Sequence, residues 1–375
     1  MADGAGRGPA VAKALAGAAV AVATVAAGTA IERFLVRRAR SIPDPSQDEP
    51  LAERPRTERR IASFDGTVLA VAEAGPRHAP APTLVFVHGF SLDLTTWHYQ
   101  WTRLASRHRC VLYDARGHGL SARAATGDYS MESLGRDLKA VLDAVCPAAS
   151  GESVVLVGHS MGGMAVLSLA SLYPEEFGGR VIGVVLADTT AQATLEEGLG
   201  GVLARVEAIV RPSIRRQTEV RSRAERLRSM AEARRADVGF LIARATNFHP
   251  GTPASVVDHV VRASLAADVE VWPKLLPTLV GLDLRPALAN VRVPAVVIAG
   301  QDDRITPVRL AQRVAGELPD GRLVVLPGAG HVAMLERPDE LRTCCAPGDS
   351  PAPLVQPYTA AGRPRARGAV PHGVV

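Results

Sequence analysis

Ser160 lies in Gly158-His159-Ser160-Met161-Gly162-Gly163, with glycine two positions before it and two after. The apolar, β-branched run Ser153-Val154-Val155-Leu156-Val157 precedes it and reads as a buried strand. Met164-Ala165-Val166-Leu167-Ser168-Leu169-Ala170 follows and reads as helix. A serine on a sharp strand-to-helix turn has its hydroxyl lifted clear of the sheet, the setting of a nucleophile. The free N–H groups and positive dipole end of a helix starting at Met161 would face the reacting centre.

Such a serine needs a base to take its proton and an acid to orient that base. On a strand-turn-helix scaffold these follow in the order Ser, Asp or Glu, His. Pro294 to Gly300 reads as a strand and leads into Asp302 and Asp303. Leu323 to Leu326 reads as another and leads into Gly330-His331. Asp188, at the end of the strand-like Val181 to Ala187, is a third candidate acid. All four lie just past a strand's C-terminal end, where open α/β sheets carry their sites.

Five motifs occur in one order: His88-Gly89-Phe90, Asp114-Ala115-Arg116-Gly117-His118-Gly119, the serine turn, Gly300-x-x-Asp303 and Gly330-His331. Together they resemble the α/β-hydrolase superfamily, in its esterase, lipase and haloperoxidase-like branch, from about Ile61 to about Leu341. The resemblance implies an α/β fold: a mostly parallel central sheet flanked by helices, with an inserted helical cap. It implies Ser160, Asp303 and His331 as the catalytic groups. The backbone N–H groups of Phe90 and Met161 are implied as the oxyanion hole. The G-x-x-D spacing selects Asp303, leaving Asp302 as a turn residue and Asp188 as structural. His88 is implied to brace its turn rather than act as a base, and the Asp114 loop is implied to be structural.

The implied activity is hydrolysis of small-molecule or lipid carboxylic esters through an acyl-enzyme, with no cofactor and no metal. The same groups also suit a metal-free haloperoxidase (perhydrolase) or an acyltransferase. A non-catalytic ligand binder is the remaining alternative, and it has the least reason to keep every group. Epoxide hydrolases and haloalkane dehalogenases of this fold carry aspartate where Ser160 stands.

Composition is that of a globular chain: 375 residues, 47% hydrophobic and 22% charged, with formal net charge +5. The cations are nearly all arginine, and no zinc-finger spacing or RNA-recognition signature appears, so no nucleic-acid partner is expected. The four cysteines form no framework; Cys344 and Cys345 are adjacent, which is not metal spacing.

Organisation follows the patterning. Residues 1–40 form an N-terminal tail in which Ala14 to Ile31 carries no charge, with Arg33, Arg37, Arg38 and Arg40 after it. This stretch reads first as a membrane anchor with the catalytic domain on the cytoplasmic side. A cleaved signal peptide with export, or an Ala-rich surface helix, are the alternatives. Residues 41–60 read as a Pro-rich linker, 61–189 and 280–345 as two parts of the hydrolase core, and 190–279 as the cap. The arginine-dense stretch from Arg211 to Arg235 is a candidate face for anionic headgroups. Residues 346–375 lack an apolar period and read as a disordered tail. The sequence sets no oligomeric state.

Overall fold

Short runs of Val, Leu and Ile alternate their side chains between two faces, and in this chain both faces are covered. The computed structural model describes residues 30–77, 81–192, 225–268, 270–345 and 357–358. Eight strands form one sheet: β1 (Thr57–Ala62), β2 (Val68–Ala74), β3 (Thr83–Val87), β4 (Cys110–Tyr113), β5 (Val154–His159), β6 (Val181–Ala187), β7 (Ala295–Gly300) and β8 (Gly321–Leu326). A two-residue β9 (Pro357–Tyr358) extends the far edge, giving the order β1-β2-β4-β3-β5-β6-β7-β8-β9. Strands from β4 through β8 run parallel; β1 with β2, β2 with β4 and β8 with β9 are antiparallel. The strand order reverses at β3, so a crevice opens between the ends of β3 and β5. Phe90 follows β3 and Ser160 follows β5.

The helices, in chain order, are α1 (30–40), α2 (His98–Leu104), α3 (Met131–Val145), α4 (Met161–Leu172), α5 (Glu225–Asn247), α6 (Ala254–Ala266), α7 (Trp272–Val280), α8 (Arg285–Leu288), α9 (Val308–Glu317), α10 (Ala333–Glu336) and α11 (Pro338–Cys345). Val85, Val87, Val111 and Leu156 pack on one side against Leu138 and Leu142 of α3 and Val166 of α4. Leu84, Phe86, Leu112 and Val157 pack on the other with Trp97, Phe240 of α5, Val257 of α6 and Leu341 of α11. Helix α3 buries the stripe Leu134, Leu138, Val141, Leu142 and Val145, and Ser130 caps it by accepting from Ser133 N–H at 3.2 Å.

Helices α5 and α6, and α7 but for its last residue, fall within the stretch expected to be cap. Residues 193–224 lie outside the described residues, as does most of the apolar stretch from Ala14. Among the described residues no helix is long and apolar enough to cross a membrane.

Two segments differ from the sequence reading. Residues 41–60, expected to be a linker, are packed. The Asp44 carboxylate accepts from the backbone N–H and hydroxyl of Ser255, each at 2.8 Å, Leu51 is buried, and β1 begins at Thr57. The stretch before β1 runs as successive turns, with Gln47 N–H on the Asp44 carbonyl, Glu49 N–H on that of Ser46 and Glu53 N–H on that of Pro50, and these turns fold it against the core. Within the expected disordered tail, Tyr358 and Pro357 pair with Leu323 and Val324 of β8, while residues 346–356 and 359–375 lie outside the described residues.

The loop after β4 rests on a buried ion pair. The Arg116 guanidinium donates to both carboxylate oxygens of Asp137, at 2.6 and 2.6 Å, and to the Asp128 carbonyl at 2.7 Å. Both side chains are wholly buried. The guanidinium also donates to the Asp65 carboxylate at 3.1 Å. We expect Asp137→Ala, which leaves Asp65 as its carboxylate partner, to lower the unfolding free energy by about 1–3 kcal/mol in urea titration. A loss well below about 1 kcal/mol would show that Asp65 alone suffices to balance the buried charge.

Candidate active site

Ser160 has φ +50° and ψ −118°, a region that side chains with a Cβ avoid. Its surroundings enforce this. Ser160 N–H donates to the Ala187 carbonyl at 3.0 Å. Its own carbonyl accepts from Met164 N–H at 3.1 Å and from the Thr189 hydroxyl at 2.7 Å. The turn also needs room: a Cβ at Gly162 would lie 2.1 Å from the Val87 carbonyl oxygen. A Cβ at Gly89 would lie 2.6 Å from the His159 ring and 3.2 Å from Ser160 Cβ. The turn after β3 is thus pressed against the serine turn, as the G-x-S-x-G spacing requires.

The structure brings Ser160, His331 and Asp303 together. The Ser160 hydroxyl donates to His331 Nε2 at 3.0 Å, and His331 Nδ1–H donates to Asp303 Oδ2 at 2.8 Å. Asp303 also accepts from Ile305 N–H at 2.7 Å, Thr306 N–H at 2.9 Å and the Thr306 hydroxyl at 2.6 Å. Burial raises the Asp303 carboxyl, but His331 and these donors hold it below the ordinary carboxylate value. Burial lowers His331, but Asp303 more than offsets this and raises the imidazole above its ordinary value.

The competing acids are placed elsewhere. The Asp302 carboxylate is partly exposed and lies 3.9 Å from His249. Asp188 is buried, and its oxygens accept from Gly300 N–H at 2.8 Å and Ala333 N–H at 3.0 Å. It ties the end of β7 to the start of α10, and burial beside Asp303 raises its carboxyl.

Met161 is the first residue of α4, so its N–H is among the first-turn donors that have no carbonyl within the helix. Phe90 lies in the turn after β3, its ring 4.9 Å from that of Trp272 on α7. Two buried histidines brace this turn. His88 Nδ1–H donates to the Gly89 carbonyl at 2.8 Å, and Nε2 accepts from Ala115 N–H at 2.9 Å. His118 Nδ1–H donates to the Arg116 carbonyl at 3.0 Å, and Nε2 accepts from Ser91 N–H at 3.2 Å. His88 therefore does the bracing the resemblance implies, with both nitrogens occupied by backbone.

Sequence reasoning missed three contributors. Thr306 hydrogen-bonds Asp303; the signal was a hydroxyl three residues after an aspartate at a turn. His159 Nε2–H donates to the His331 carbonyl at 2.7 Å, so the residue beside Ser160 fixes the backbone of His331. Glu336 ends α10, and its carboxylate accepts from Gly330 N–H at 2.7 Å, His249 N–H at 2.8 Å and the Thr252 hydroxyl at 2.5 Å. His331 N–H in turn donates to the Asn247 carbonyl at the end of α5, at 2.6 Å. The segment carrying His331 is thereby joined to the cap on two sides.

Among the described residues no group of three His, Cys, Asp or Glu side chains is disposed to hold a metal ion. A cavity of about 200 Å³ lined by Arg59, Arg77, Arg109, Ala144, Val145 and Glu152 contains none of these site residues.

The sequence pattern of the alpha/beta hydrolase family matches residues 84–343, and the chain belongs to that family. Among individual relatives, 3-oxoadipate enol-lactonase 1 of Acinetobacter baylyi is 26% identical over 280 residues, 75% of this chain and 92% of the relative. The crystal structure of the enol-lactonase from Burkholderia xenovorans matches with TM-score 0.57 at 26% identity, over 76% of this chain and 96% of that one. That of a hydrolase from Pseudomonas aeruginosa matches with TM-score 0.58 at 27% identity, again over 76% and 96%.

Two outcomes follow from the site's supports. Glu336→Ala leaves three donors without their acceptor and is expected to cost about 1–3 kcal/mol in urea unfolding; wild-type stability would show that water replaces the carboxylate. The second concerns acid. Burial, reinforced for His118 by His88 and for His159 by His331, pushes both imidazoles down to about 3. The folded state therefore refuses protons that the unfolded chain accepts. This stability is complete above the ordinary imidazole value of about 6.5 and falls as pH drops from there toward 3, by about 1.4 kcal/mol per pH unit per group. His118→Gln should flatten the fall measured between pH 6.5 and 4.5, and an unchanged slope would refute the assignment.

Proposed function

We propose that this member of the family is a serine hydrolase that cleaves carboxylic esters through an acyl-enzyme. The observation that carries the proposal is the relay from Ser160 Oγ to His331 Nε2, at 3.0 Å, and from His331 Nδ1 to Asp303, at 2.8 Å, on a turn held at positive φ. Ser160 Oγ attacks the acyl carbonyl carbon as His331 Nε2 takes its proton. The carbonyl oxygen becomes an oxyanion that the N–H groups of Phe90 and Met161 receive; one such donor is worth roughly 3–4 kcal/mol. The C–O bond to the leaving group breaks, and imidazolium His331 delivers its proton to the departing alkoxide. Water then repeats the sequence on the acyl-enzyme, with His331 as base, and frees the acid and Ser160.

Asp303 keeps the proton on Nδ1 and stabilises the imidazolium without itself being protonated. Thr306 and the two backbone donors hold that carboxylate in place. The two relatives named as enol-lactonases make a lactone, an internal ester, the first substrate class to try beside p-nitrophenyl esters.

A fluorophosphonate probe should label Ser160, and Ser160→Ala should abolish labelling and ester turnover together; labelling that persists in the folded variant sinks the reading. Asp303→Asn should lower kcat by roughly 10⁴. Because Asp303 raises His331, wild-type kcat/KM should climb with pH through a value above the ordinary imidazole one. In Asp303→Asn that limb should move to lower pH. If Asp188→Asn moves the limb and Asp303→Asn does not, the acid has been misassigned.

A further inference from the structure

Helix α1 has two unlike faces. The inner one is fixed to the cap. Val36 and Ala39 are buried, and the Arg40 guanidinium pairs with both carboxylate oxygens of Asp258 on α6, at 2.6 and 2.9 Å. The same guanidinium lies 4.8 Å from the centre of the Phe240 ring on α5. Asp44, just beyond the helix, holds Ser255 at the start of α6.

The outer face is apolar and open. Ile31, Phe34 and Leu35 are 61%, 62% and 42% exposed, the first two the most exposed of the large apolar residues described. Their i, i+3, i+4 spacing makes them one stripe, and Arg38 continues it at i+7. Arg37 borders it beside Phe34, Arg33 lies farther round toward Arg40, and the half-buried Glu32 falls on the inner side. The sequence entering the helix, from Ala14, carries no charged residue.

We propose that α1 is an interfacial helix that seats the cap on an anionic lipid surface. The stripe would enter the boundary between headgroups and acyl chains, while the guanidiniums reach back to lipid phosphates. A second copy of this chain is a poorer occupant, because a two-fold contact across the stripe would set two groups of arginines against each other. Because Arg40 and Asp44 grip the cap, a helix seated in lipid holds the cap at the surface too. The proposal does not depend on the ester-hydrolase reading.

The test uses the full chain with vesicles of phosphatidylcholine, alone or mixed with phosphatidylglycerol. Sedimentation should show preference for the anionic vesicles, weakened by salt. Changing Ile31, Phe34 and Leu35 together to Ser should lower partitioning by about tenfold or more. Changing Arg33, Arg37 and Arg38 together to Gln should abolish the anionic preference. Both variants should keep the wild-type unfolding midpoint, since the altered side chains are exposed. Phe34→Trp reports on α1 itself, independently of the uncharged stretch before it. Its added emission should shift to the blue with vesicles and be quenched by brominated lipid. The proposal is overturned if that emission does not respond, or if the triple Ser variant partitions as the wild type does. It is equally overturned if the stripe proves to hold a lipid-independent dimer that the Ser changes dissociate.

Discussion

The site depends on one backbone constraint: a serine kept at positive φ between a strand and a helix. Such a conformation costs of order 1–3 kcal/mol and persists only where its neighbours over-determine it. Here they do so from several directions. The Ala187 carbonyl holds the Ser160 N–H from β6, Thr189 and Met164 hold its carbonyl, and the β3 turn lies against Gly162. Parallel pairing of β5 with both β3 and β6 brings these partners to one place. The sheet order therefore shapes the site, because it sets Ser160 beside the turn that carries Phe90.

Electrostatically the site is sparse. In the relay itself one carboxylate and one titrating imidazole face each other: Asp303 below its ordinary value and His331 above it. The surrounding histidines act as neutral struts. His88 and His118 each donate through Nδ1 to a carbonyl and accept a backbone N–H through Nε2. A neutral imidazole does this in a buried place without adding a charge that would compete with His331 for Asp303. His159 donates through Nε2 to the carbonyl of His331, and its Nδ1 has no partner among the described residues.

Cap and core are joined beside His331. Asn247 accepts from His331 N–H, Glu336 gathers Gly330, His249 and Thr252, and Arg304 donates to the Ala245 carbonyl at 2.5 Å. On the other side of the cap, residues 36–44 hold α5 and α6 through Arg40 and Asp44. A movement of the cap therefore acts on the backbone that carries His331. Glu336 accepts from donors on both sides of this joint, and burial raises its carboxyl while its hydrogen-bond donors oppose the rise.

What the sequence determined alone is what local pattern encodes. The serine turn, its flanking strand and helix, and the acid and histidine at the ends of later strands are each written within a few neighbouring residues. Helix α3 was legible for the same reason, since its stripe repeats every turn and Ser130 marks its start. Choosing Asp303 over Asp302 rested on motif spacing, and the fold placed Asp303 against His331 and Asp302 toward His249 at the surface. The tertiary structure alone decided what depends on distant partners. The grip of Asp44 on Ser255 spans 211 residues, His159 meets His331 across 172, and Glu336 reaches Thr252 across 84. An acid ahead of a proline reads the same whether it faces water or a backbone N–H brought to it by the cap. Hydrophobic periodicity records which face of an element is buried, but not which distant polar group will meet it there.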